Sequence, residues 1–281
     1  MAGWYEEEFN QKFRVAFRVE RTLFSGQSEY QRVEILQSPQ WGRVLVLDGM
    51  LMTSEVDEFF YHEMLVHPAM ISLPQAAQNV LVIGGGDGGT IREVLKHSSV
   101  QKVTLVEIDG MVIDACKEHL PALGSSAWKD PRLDLQVGDG VAFVANAKAE
   151  HYDLVLLDGT DPVGPGEGLF GREFFANCKR ILKAHGAFAM QSESPLLFEK
   201  VFFETQSVLS EIFERVQPYL GPVPLYGSGT WSWTWCAKQG DPLAIVDERA
   251  AAIEKGARYY NRGIHRGAFS IPNFIAERLK R

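Results

Sequence analysis

Hydrophobic and polar residues alternate along the first part of the chain. The alternating runs cover residues 15–19, 31–36 and 43–47. Turn residues interrupt the alternation at Ser25-Gly26, Ser38-Pro39 and Asp48-Gly49. Alternation with period two and turns between the runs predicts an antiparallel meander or a small barrel. A helix with an apolar stripe is predicted to follow, from Asp57 to Ile71.

Continuous apolar runs replace this alternation in the middle of the chain. They cover residues 79–83, 102–106, 133–137, 152–157 and 187–190. Helical stretches, such as 89–96 and 173–182, separate them, which predicts right-handed crossovers and a parallel sheet with helices on both faces. The alternating segment Thr230–Ala237 predicts an added antiparallel strand. The predicted fold class is therefore α/β, a mostly parallel sheet preceded by a small antiparallel β-domain, with a boundary near residue 75.

Composition and charge exclude several classes of protein. Hydrophobic residues make up 46% of the 281 residues, which excludes overall disorder. The net charge of −8 and the lack of a basic stripe disfavour a nucleic-acid partner. No apolar run has the length of a membrane span, and the start of the chain does not have the pattern of a signal peptide. With three dispersed cysteines, these features predict a cytoplasmic protein with free thiols.

Acidic residues follow several of the predicted strands. The first strand enters the turn Gly84–Gly89, in which Asp87 would repel the phosphates of a dinucleotide and favours a cofactor with a positive charge. Glu107, after the second strand, can accept hydrogen bonds from two ribose hydroxyls. Asp139, after the third strand, can accept one from an exocyclic amine such as that of adenine. Each acid alone could also be a helix cap, which is the preferred interpretation for Asp109.

The fourth strand is followed by Asp158-Gly159-Thr160-Asp161. Two carboxylates three residues apart repel each other unless a cation lies between them, and a dicationic amine would meet that need. A metal ion is the alternative, but no His/Cys/Asp cluster with the spacing of metal ligands accompanies the pair. No metal site is therefore predicted. An Asx-turn with a helix cap explains one of the two acids more easily than both.

These segments, taken in order along the chain, resemble the spermidine synthases, a family of polyamine aminopropyltransferases. The similarity lies in the segments 57–64, 84–89, 106–109, 138–140, 158–165, 224–229 and 258–261. The resemblance implies transfer of an aminopropyl group from decarboxylated S-adenosylmethionine, a co-substrate, to putrescine, giving spermidine and 5′-methylthioadenosine. It also implies a homodimer or homotetramer without a tightly bound cofactor. Residues 1–75 would form the oligomerisation and lid domain, and residues 76–281 a Rossmann-like catalytic domain.

The resemblance also implies roles for individual residues. Asp158 would be the general base, with Tyr61 as its neighbour, and Asp87 would bind the ammonium of the aminopropyl arm. Glu107 would bind the ribose and Asp139 the adenine amine. The other positions matched to the cofactor pocket are Gln31, His62, Gly84, Gly86, Ile108, Gly140 and Pro165. Those matched to the amine pocket are Asp158, Asp161, Tyr226, Tyr61, His62, Trp4, Gln191 and Glu204.

Three positions depart from the family pattern. Met52 stands where glutamine is frequent, Val56 where a basic residue is usual, and Gly159 where serine or cysteine is common. They leave the acceptor open among putrescine, agmatine, cadaverine and a triamine. Outside the family, a methyltransferase, a nicotinamide-dependent oxidoreductase and a polyamine-binding sensor without turnover are the alternatives.

Overall fold

The computed structural model describes residues 3–9, 11, 13–160 and 164–280. The strands of its N-terminal part are antiparallel, as predicted. A hairpin comes first: β1 (Gly3–Phe9) and β2 (Phe13–Val19). A meander follows: β3 (Arg21–Gln27), β4 (Arg32–Ser38), β5 (Gly42–Leu47) and β6 (Met50–Ser54). Asp48 and Gly49 have φ values of 49° and 83° and form the β5–β6 turn. The break predicted at Ser25-Gly26 is wrong, because both residues pair with β4 inside β3.

A seven-stranded sheet occupies the centre of the described chain, in the order β12-β13-β11-β10-β7-β8-β9. Its strands are β7 (Asn79–Gly84), β8 (Lys102–Glu107), β9 (Leu133–Val137), β10 (Tyr152–Asp158), β11 (Leu182–Gln191), β12 (Arg215–Gly221) and β13 (Trp231–Ala237). The neighbours from β11 to β9 pair in parallel, whereas β13 is antiparallel to both β11 and β12. The predicted mostly parallel sheet with an added antiparallel strand is therefore confirmed.

Helices cover both faces of this sheet. They are α1 (Glu58–Ser72), α2 (Gly89–Leu95), α3 (Gly110–His119), α4 (Pro121–Gly124), α5 (Gly140–Asn146), α6 (Arg172–Ile181), α7 (Glu199–Ile212), α8 (Asp247–Glu254), α9 (Arg262–Ala268) and α10 (Asn273–Leu279). In β10, Leu154 and Leu156 belong to the core shared with α1 and α2. Val155 and Leu157 belong to the core shared with α6. Successive side chains of a strand point to opposite faces, so a strand covered on both faces is apolar throughout.

Helix α1 is buried along nearly its whole length. It packs on the sheet and on α2, and its Tyr61 and Met64 belong to the core of that face. The Glu63 carboxylate accepts hydrogen bonds of 2.7–2.8 Å from the backbone N–H groups of Arg258, Tyr259 and Tyr260. These contacts hold α1 against the C-terminal segment. Among the described residues, no helix is both long and apolar enough to cross a membrane.

Candidate active site

The carboxyl ends of three neighbouring parallel strands meet at one edge of the sheet. Gly84 at the end of β7 lies opposite Asp158 at the end of β10, and Glu107 ends β8 on the other side of β7. In open α/β sheets, ligands bind outside the carboxyl ends of the strands. A cavity opens there, with about 920 Å³ of empty space including the solvent at its mouth.

Most of the residues predicted to bind the cofactor line this cavity. The predicted residues on its wall are Gln31, Tyr61, His62, Gly84, Gly86, Asp87, Glu107, Ile108, Asp139, Gly140, Asp158 and Tyr226. Asp161 lies outside the described residues. Pro165 lies in a 3₁₀ helix, Gly164–Phe170. The cavity also borders Met52, Thr160 and Leu169.

The glycine turn after β7 allows the close approach of β7 and β10. Gly84 and Gly85 have φ values of 74° and 77°, a region that residues with a side chain rarely adopt. A Cβ atom on Gly84 would lie 2.2 Å from the carbonyl oxygen of Asp158, and one on Gly85 would lie 2.7 Å from its Oδ2. Glycine is therefore required here both by the backbone and by the position of Asp158.

Two hydroxyl groups hold the Asp158 carboxylate. Tyr61 Oη donates to Oδ1 at 2.8 Å, and Thr90 Oγ1 donates to Oδ2 at 2.6 Å. Burial and the negative charge of Asp87 raise the pKa of Asp158. A carboxylate with a raised pKa and a fixed orientation is suited to accept a proton. Thr90 is a contact that the sequence did not indicate.

Asp87 is held from two sides. The backbone N–H of Gly89 donates to its Oδ1 at 2.6 Å, and Nε2 of His62 lies 3.3 Å from its Oδ2. Burial disfavours the charged form of Asp87, but the charge and hydrogen bond of His62, the N–H of Gly89 and the charge of Arg92 together outweigh burial and lower the pKa of Asp87. The Asp87 carboxylate is therefore ionised at the wall of the cavity.

Glu107 has both carboxylate oxygens in contact with the backbone. The N–H of Gly86 donates to Oε2 at 3.1 Å, and the N–H of Asp109 donates to Oε1 at 3.0 Å. Burial raises the pKa of Glu107 to about 7, against the opposing effect of these two hydrogen bonds. Each oxygen retains a lone pair, so the group can still accept a hydrogen bond from a ligand.

Asp139 and Asp109 both cap helices. Asp139 accepts from the N–H of Val141 at 2.7 Å at the start of α5, and its side chain remains exposed at the edge of the cavity. Asp109 accepts from the N–H of Met111 at 3.0 Å at the start of α3, as predicted for it. The second oxygen of Asp109 accepts from Nε2 of Gln31 at 3.0 Å, which places Gln31 on the cavity wall.

A second cavity adjoins the first, with about 430 Å³ of empty space including the solvent at its mouth. The two share wall residues, namely Met52, Tyr61, Gly159, Thr160 and Tyr226. The Tyr226 hydroxyl donates to the carbonyl oxygen of Met52 at 2.7 Å. The remaining wall is mostly apolar, with Glu7 and Gln191 as its polar side chains: Glu7, Phe9, Met50, Leu51, Gln191, Phe198 and Trp231. Glu7 was not predicted, because a run of three glutamates in β1 does not show which of them faces inwards.

Two predicted residues lie away from both cavities. Trp4 on β1 is 63% exposed, and the side chain of Glu204 on α7 is 66% exposed. Glu204 pairs with Lys200 at 3.8 Å, one helical turn away. The structure therefore does not bring Trp4 and Glu204 together with the other site residues. Among the described residues, no group of three His, Cys, Asp or Glu side chains could hold a metal ion.

Two family models match most of the chain, from residue 3 to residue 247. The spermidine synthase tetramerisation domain matches residues 3–55, and the spermine/spermidine synthase domain matches residues 58–247. A polyamine aminopropyltransferase of Prochlorococcus marinus (strain MIT 9313) is 46% identical over 282 residues, covering 99% of this chain and 96% of the relative. A polyamine aminopropyltransferase of Bacillus subtilis (strain 168) is 42% identical over 277 residues, covering 99% of both.

Solved structures show the same fold. A crystal structure of spermidine synthase in complex with the transition state analogue AdoDATO superposes with a TM-score of 0.95 at 38% identity, covering 99% of this chain and 95% of that one. Spermidine synthase from Thermotoga maritima superposes with a TM-score of 0.93, also at 38% identity, with 99% and 94% covered.

The chain belongs to the spermine/spermidine synthase family, as the family models, the relatives and the solved structures show. The central sheet and the acidic residues at its strand ends agree with this class. It is an enzyme, a polyamine aminopropyltransferase. The resemblance seen in the sequence is thereby confirmed.

Proposed function

We propose that this aminopropyltransferase uses decarboxylated S-adenosylmethionine as donor and putrescine as acceptor, and forms spermidine and 5′-methylthioadenosine. The observation that carries the proposal is the partly buried carboxylate of Asp158 on the wall of the first cavity, next to Gly159 and Thr160, which line both cavities. Tyr61 lines both cavities and donates a hydrogen bond to this carboxylate. The first cavity has four acids on its wall, Asp87, Glu107, Asp139 and Asp158, which suits the donor. The second is mostly apolar, which suits the tetramethylene chain of a diamine.

In the first cavity, the positions of the acids support the placement of a sulfonium nucleoside. Glu107 would accept from the ribose hydroxyls, and Asp139 from the amine of the adenine. Asp87 would bind the ammonium of the aminopropyl arm. Main-chain contact in this cavity is proposed for Gly84, Gly86, Ile108, Gly140 and Pro165, and side-chain contact for Gln31 and His62. The spermidine synthase that was solved with the transition state analogue AdoDATO has the same fold, which is consistent with a donor site in this chain.

The chemistry needs little beyond positioning and one proton acceptor. The attacking end of the diamine loses one proton to Asp158, whose raised pKa suits this role. The neutral nitrogen attacks the methylene carbon beside the sulfonium, a C–N bond forms, the C–S bond breaks, and sulfur retains the electron pair. The positive charge passes from sulfur to the new secondary ammonium, so one proton is released in each turnover. Holding amine and carbon in line within the cavity supplies much of the rate.

The second cavity would hold the acceptor. Met52, Phe198 and Trp231 give it apolar walls, and Tyr226 borders it where the cavities join. Glu7 and Gln191 offer polar contacts on the same wall. Asp161 is proposed to bind an amine of the acceptor. Trp4 and Glu204 stay predictions for the amine pocket.

Charge also supports selection of the donor. Ordinary S-adenosylmethionine carries a carboxylate next to its amine, and the partly buried carboxylates of Asp87 and Asp158 would repel it. Like charges in a site shielded from water cost several kcal/mol, enough for strong discrimination.

The match of residues 3–55 to a tetramerisation domain supports a homo-oligomer. We propose that residues 1–75 form the oligomerisation region and the lid of the pocket, and residues 76–281 the catalytic domain. The lid role has support in Glu7 and Met52, which lie on the wall of the second cavity. Sedimentation equilibrium of the purified chain tests the choice between dimer and tetramer.

A competition among four amines tests the acceptor. Putrescine, agmatine, cadaverine and spermidine are offered together at equal concentration with decarboxylated S-adenosylmethionine, and the products are identified by mass. Spermidine is expected as the main product, with 5′-methylthioadenosine in equal amount. Comparable rates for all four amines would contradict the assignment of putrescine and leave the aminopropyl transfer intact. A parallel reaction with ordinary S-adenosylmethionine is expected to yield no S-adenosylhomocysteine.

A further inference from the structure

His62 lies between two carboxylates at the inner wall of the donor cavity. Its Nδ1 is 2.7 Å from Oε2 of Glu58, one helical turn earlier on α1, and its Nε2 is 3.3 Å from Oδ2 of Asp87. A neutral imidazole carries a single N–H and can donate to only one of these carboxylates. Only the imidazolium, with an N–H on each nitrogen, satisfies both contacts.

Glu58 is in turn held by α2. Nη2 of Arg92 donates to the same Oε2 of Glu58 at 2.7 Å. The guanidinium is itself fixed, because its Nε donates to Oε1 of Glu93 at 2.8 Å and its Nη1 to the carbonyl oxygen of Leu123 at 2.8 Å. These side chains are largely buried, with 18% of Arg92, 8% of Glu58 and 2% of His62 exposed. Because Nε, Nη1 and Nη2 of Arg92 each donate a hydrogen bond, the planar guanidinium is fixed and holds the Glu58 carboxylate in one orientation.

Gly89 provides the space for this arrangement. A Cβ atom at position 89 would lie 2.2 Å from Cε1 of His62. The same residue donates its backbone N–H to Asp87. The imidazole ring and the Asp87 carboxylate are therefore both placed by the first residue of α2, while Glu58 and Arg92 hold the far side of the ring.

We propose that Glu58 and Arg92 are positioning residues for the reaction, which hold His62 as an imidazolium so that its second N–H fixes the carboxylate of Asp87 beside Asp158. This inference rests on the proposed function, since it takes Asp87 as the group that binds the ammonium of the donor. Asp87 and Asp158 are two neighbouring, partly buried acids of the same cavity, and without a cation each would oppose the ionisation of the other. His62 supplies the cation within the fold, so both acids are charged before a substrate arrives.

The charges that face His62 agree with this role. Glu58 and Tyr61 face it from α1, Asp87 from the turn after β7, Arg92 from α2 and Asp158 from the end of β10. Burial opposes the protonation of His62, but the carboxylates of Asp87 and Glu58 outweigh burial and raise its pKa well above the usual range. The positive charge of His62 in turn works against the rise in the pKa of Asp158.

The protonation state of His62 is tested directly in the free enzyme. Ring ¹⁵N shifts are recorded at pH 8 on protein with labelled histidines, and the signal of His62 is assigned by its loss in His62→Gln. We expect both ring nitrogens to carry a proton in the unsubstituted enzyme and one in Glu58→Gln. A singly protonated His62 in the unsubstituted enzyme would overturn the proposal, and this measurement needs neither a substrate nor a variant of Glu58 that folds.

Kinetics with the donor test the positioning. Glu58→Gln and Arg92→Met are each expected to raise the KM for decarboxylated S-adenosylmethionine about tenfold or more, because a charged hydrogen-bond partner of the chain is lost. The KM for the acceptor is expected to change less than about threefold by the same scale. Glu63→Gln is the matched control, since Glu63 is also a buried acid of α1 but its carboxylate accepts hydrogen bonds from the backbone of residues 258–260. It is expected to lower stability without changing the KM for the donor.

Equal effects of all three variants on the KM for the donor would show a general loss of α1 packing and would overturn the positioning role. The ring ¹⁵N measurement separates this failure from a failure of the proposed function. If His62 is an imidazolium that depends on Glu58 but no spermidine forms, the assignment of the substrates is wrong and the arrangement of charges stands. If spermidine forms and His62 is neutral, the assignment of the substrates stands and the proposed arrangement of charges is wrong.

Discussion

Tyr61 and Asp158 lie 97 positions apart in the chain and share a hydrogen bond of 2.8 Å, from the tyrosine hydroxyl to Oδ1 of the carboxylate. Tyr61 comes from α1 and Asp158 from the end of β10, so the contact joins the helix that follows the N-terminal meander to the central sheet. Burial raises the pKa of the Tyr61 phenol well above its usual value, and the charge of Asp158 raises it further. Tyr61 therefore acts as a donor that orients Asp158.

Removal of this hydroxyl is expected to slow the reaction. In Tyr61→Phe, the ring contacts with Trp233 and Tyr226 remain. Since a hydrogen bond to a charged group is lost, kcat is expected to fall roughly 10- to 100-fold. The hydrogen bond from Tyr61 also lowers the pKa of Asp158, so its loss moves the acid limb of the pH–rate profile to higher pH.

Tyr219→Phe is the matched control for this change. The Tyr219 side chain is also buried, and its hydroxyl donates to the carbonyl oxygen of Met64 at 2.9 Å, outside both cavities. Its loss is expected to lower the melting temperature and leave the pH–rate profile in place. An unchanged acid limb in Tyr61→Phe would contradict the orienting role of Tyr61.

The variant Asp158→Asn tests whether Asp158 accepts a proton in the reaction or only binds a substrate through its charge. The hydroxyls of Tyr61 and Thr90 can each donate or accept, so both can rotate to suit an amide, and the fold is expected to persist. Without a proton acceptor, turnover is expected to fall about 10²- to 10⁴-fold, while the donor still binds in calorimetry. Turnover equal to that of the unsubstituted enzyme would disprove the base.

Asp153 offers a control on the same strand. It accepts from the backbone of Gln78 and Asn79 and pairs with Lys183, at the opposite end of β10 from the cavity. Asp153→Asn is expected to reduce stability with kcat retained. A fall in kcat equal to that of Asp158→Asn would point to distortion of β10 as the cause in both variants.

The sequence predicted the central sheet well because its strands are buried on both faces. A strand such as β10, apolar at every position from Leu154 to Leu157 and flanked by helical stretches, is typical of the interior of a parallel sheet. Parallel strands end at one edge of the sheet, so Asp87, Glu107 and Asp158 were expected to lie together. The gathering of the acids at one cavity was thus predictable from their position after the strands.

Contacts between distant side chains were not predictable in this way. Arg92 and Glu58 lie 34 positions apart on two helices, and no periodicity shows that they meet. Thr90 is separated from Asp158 by 68 positions and has no distinguishing motif. The inward position of Glu7 depends on the register of β1 with β2, which the alternation of residues alone does not fix.

The raised pKa of Glu107 predicts that the free energy of unfolding depends on pH. Burial raises this pKa from 4.5 to about 7, so the folded protein keeps a proton that the unfolded chain loses. The raised pKa therefore contributes to the free energy of unfolding. This contribution is fully present below pH 4.5 and is lost as the pH rises to about 7. Glu107→Gln lacks this dependence. The free energy of unfolding of the variant minus that of the unsubstituted enzyme is expected to rise by about 3 kcal/mol over this range and then stay level.

Urea unfolding at intervals from pH 4.5 to pH 8 measures this difference. The amide cannot accept from both Gly86 and Asp109, which shifts the whole curve of the variant by a constant and does not alter its slope. Parallel curves for the two proteins would show that Glu107 is ionised throughout. In that case the burial of its carboxylate would be offset fully by the two backbone hydrogen bonds.

A methyl group at position 89 is expected to displace His62. Because the added Cβ of Gly89→Ala would lie 2.2 Å from the imidazole, the ring must move away from Asp87. Overpacking of this kind costs about 1–3 kcal/mol of stability. The KM for the donor is expected to rise as well, since Asp87 loses the N–H of His62. Steady-state kinetics and thermal unfolding measure the two effects.

Gly267→Ala provides the comparison that interprets this result. Gly267 lies in α9, and a Cβ atom there would meet nothing within 4 Å, so alanine is expected to raise stability by up to about 1 kcal/mol through its higher helix propensity. Its kinetics are expected to match those of the unsubstituted enzyme. If Gly89→Ala also kept its KM for the donor while losing stability, the position of the imidazole would not matter for donor binding. A rise in KM confined to Gly89→Ala would instead show that the ring must stay where α1 and α2 hold it.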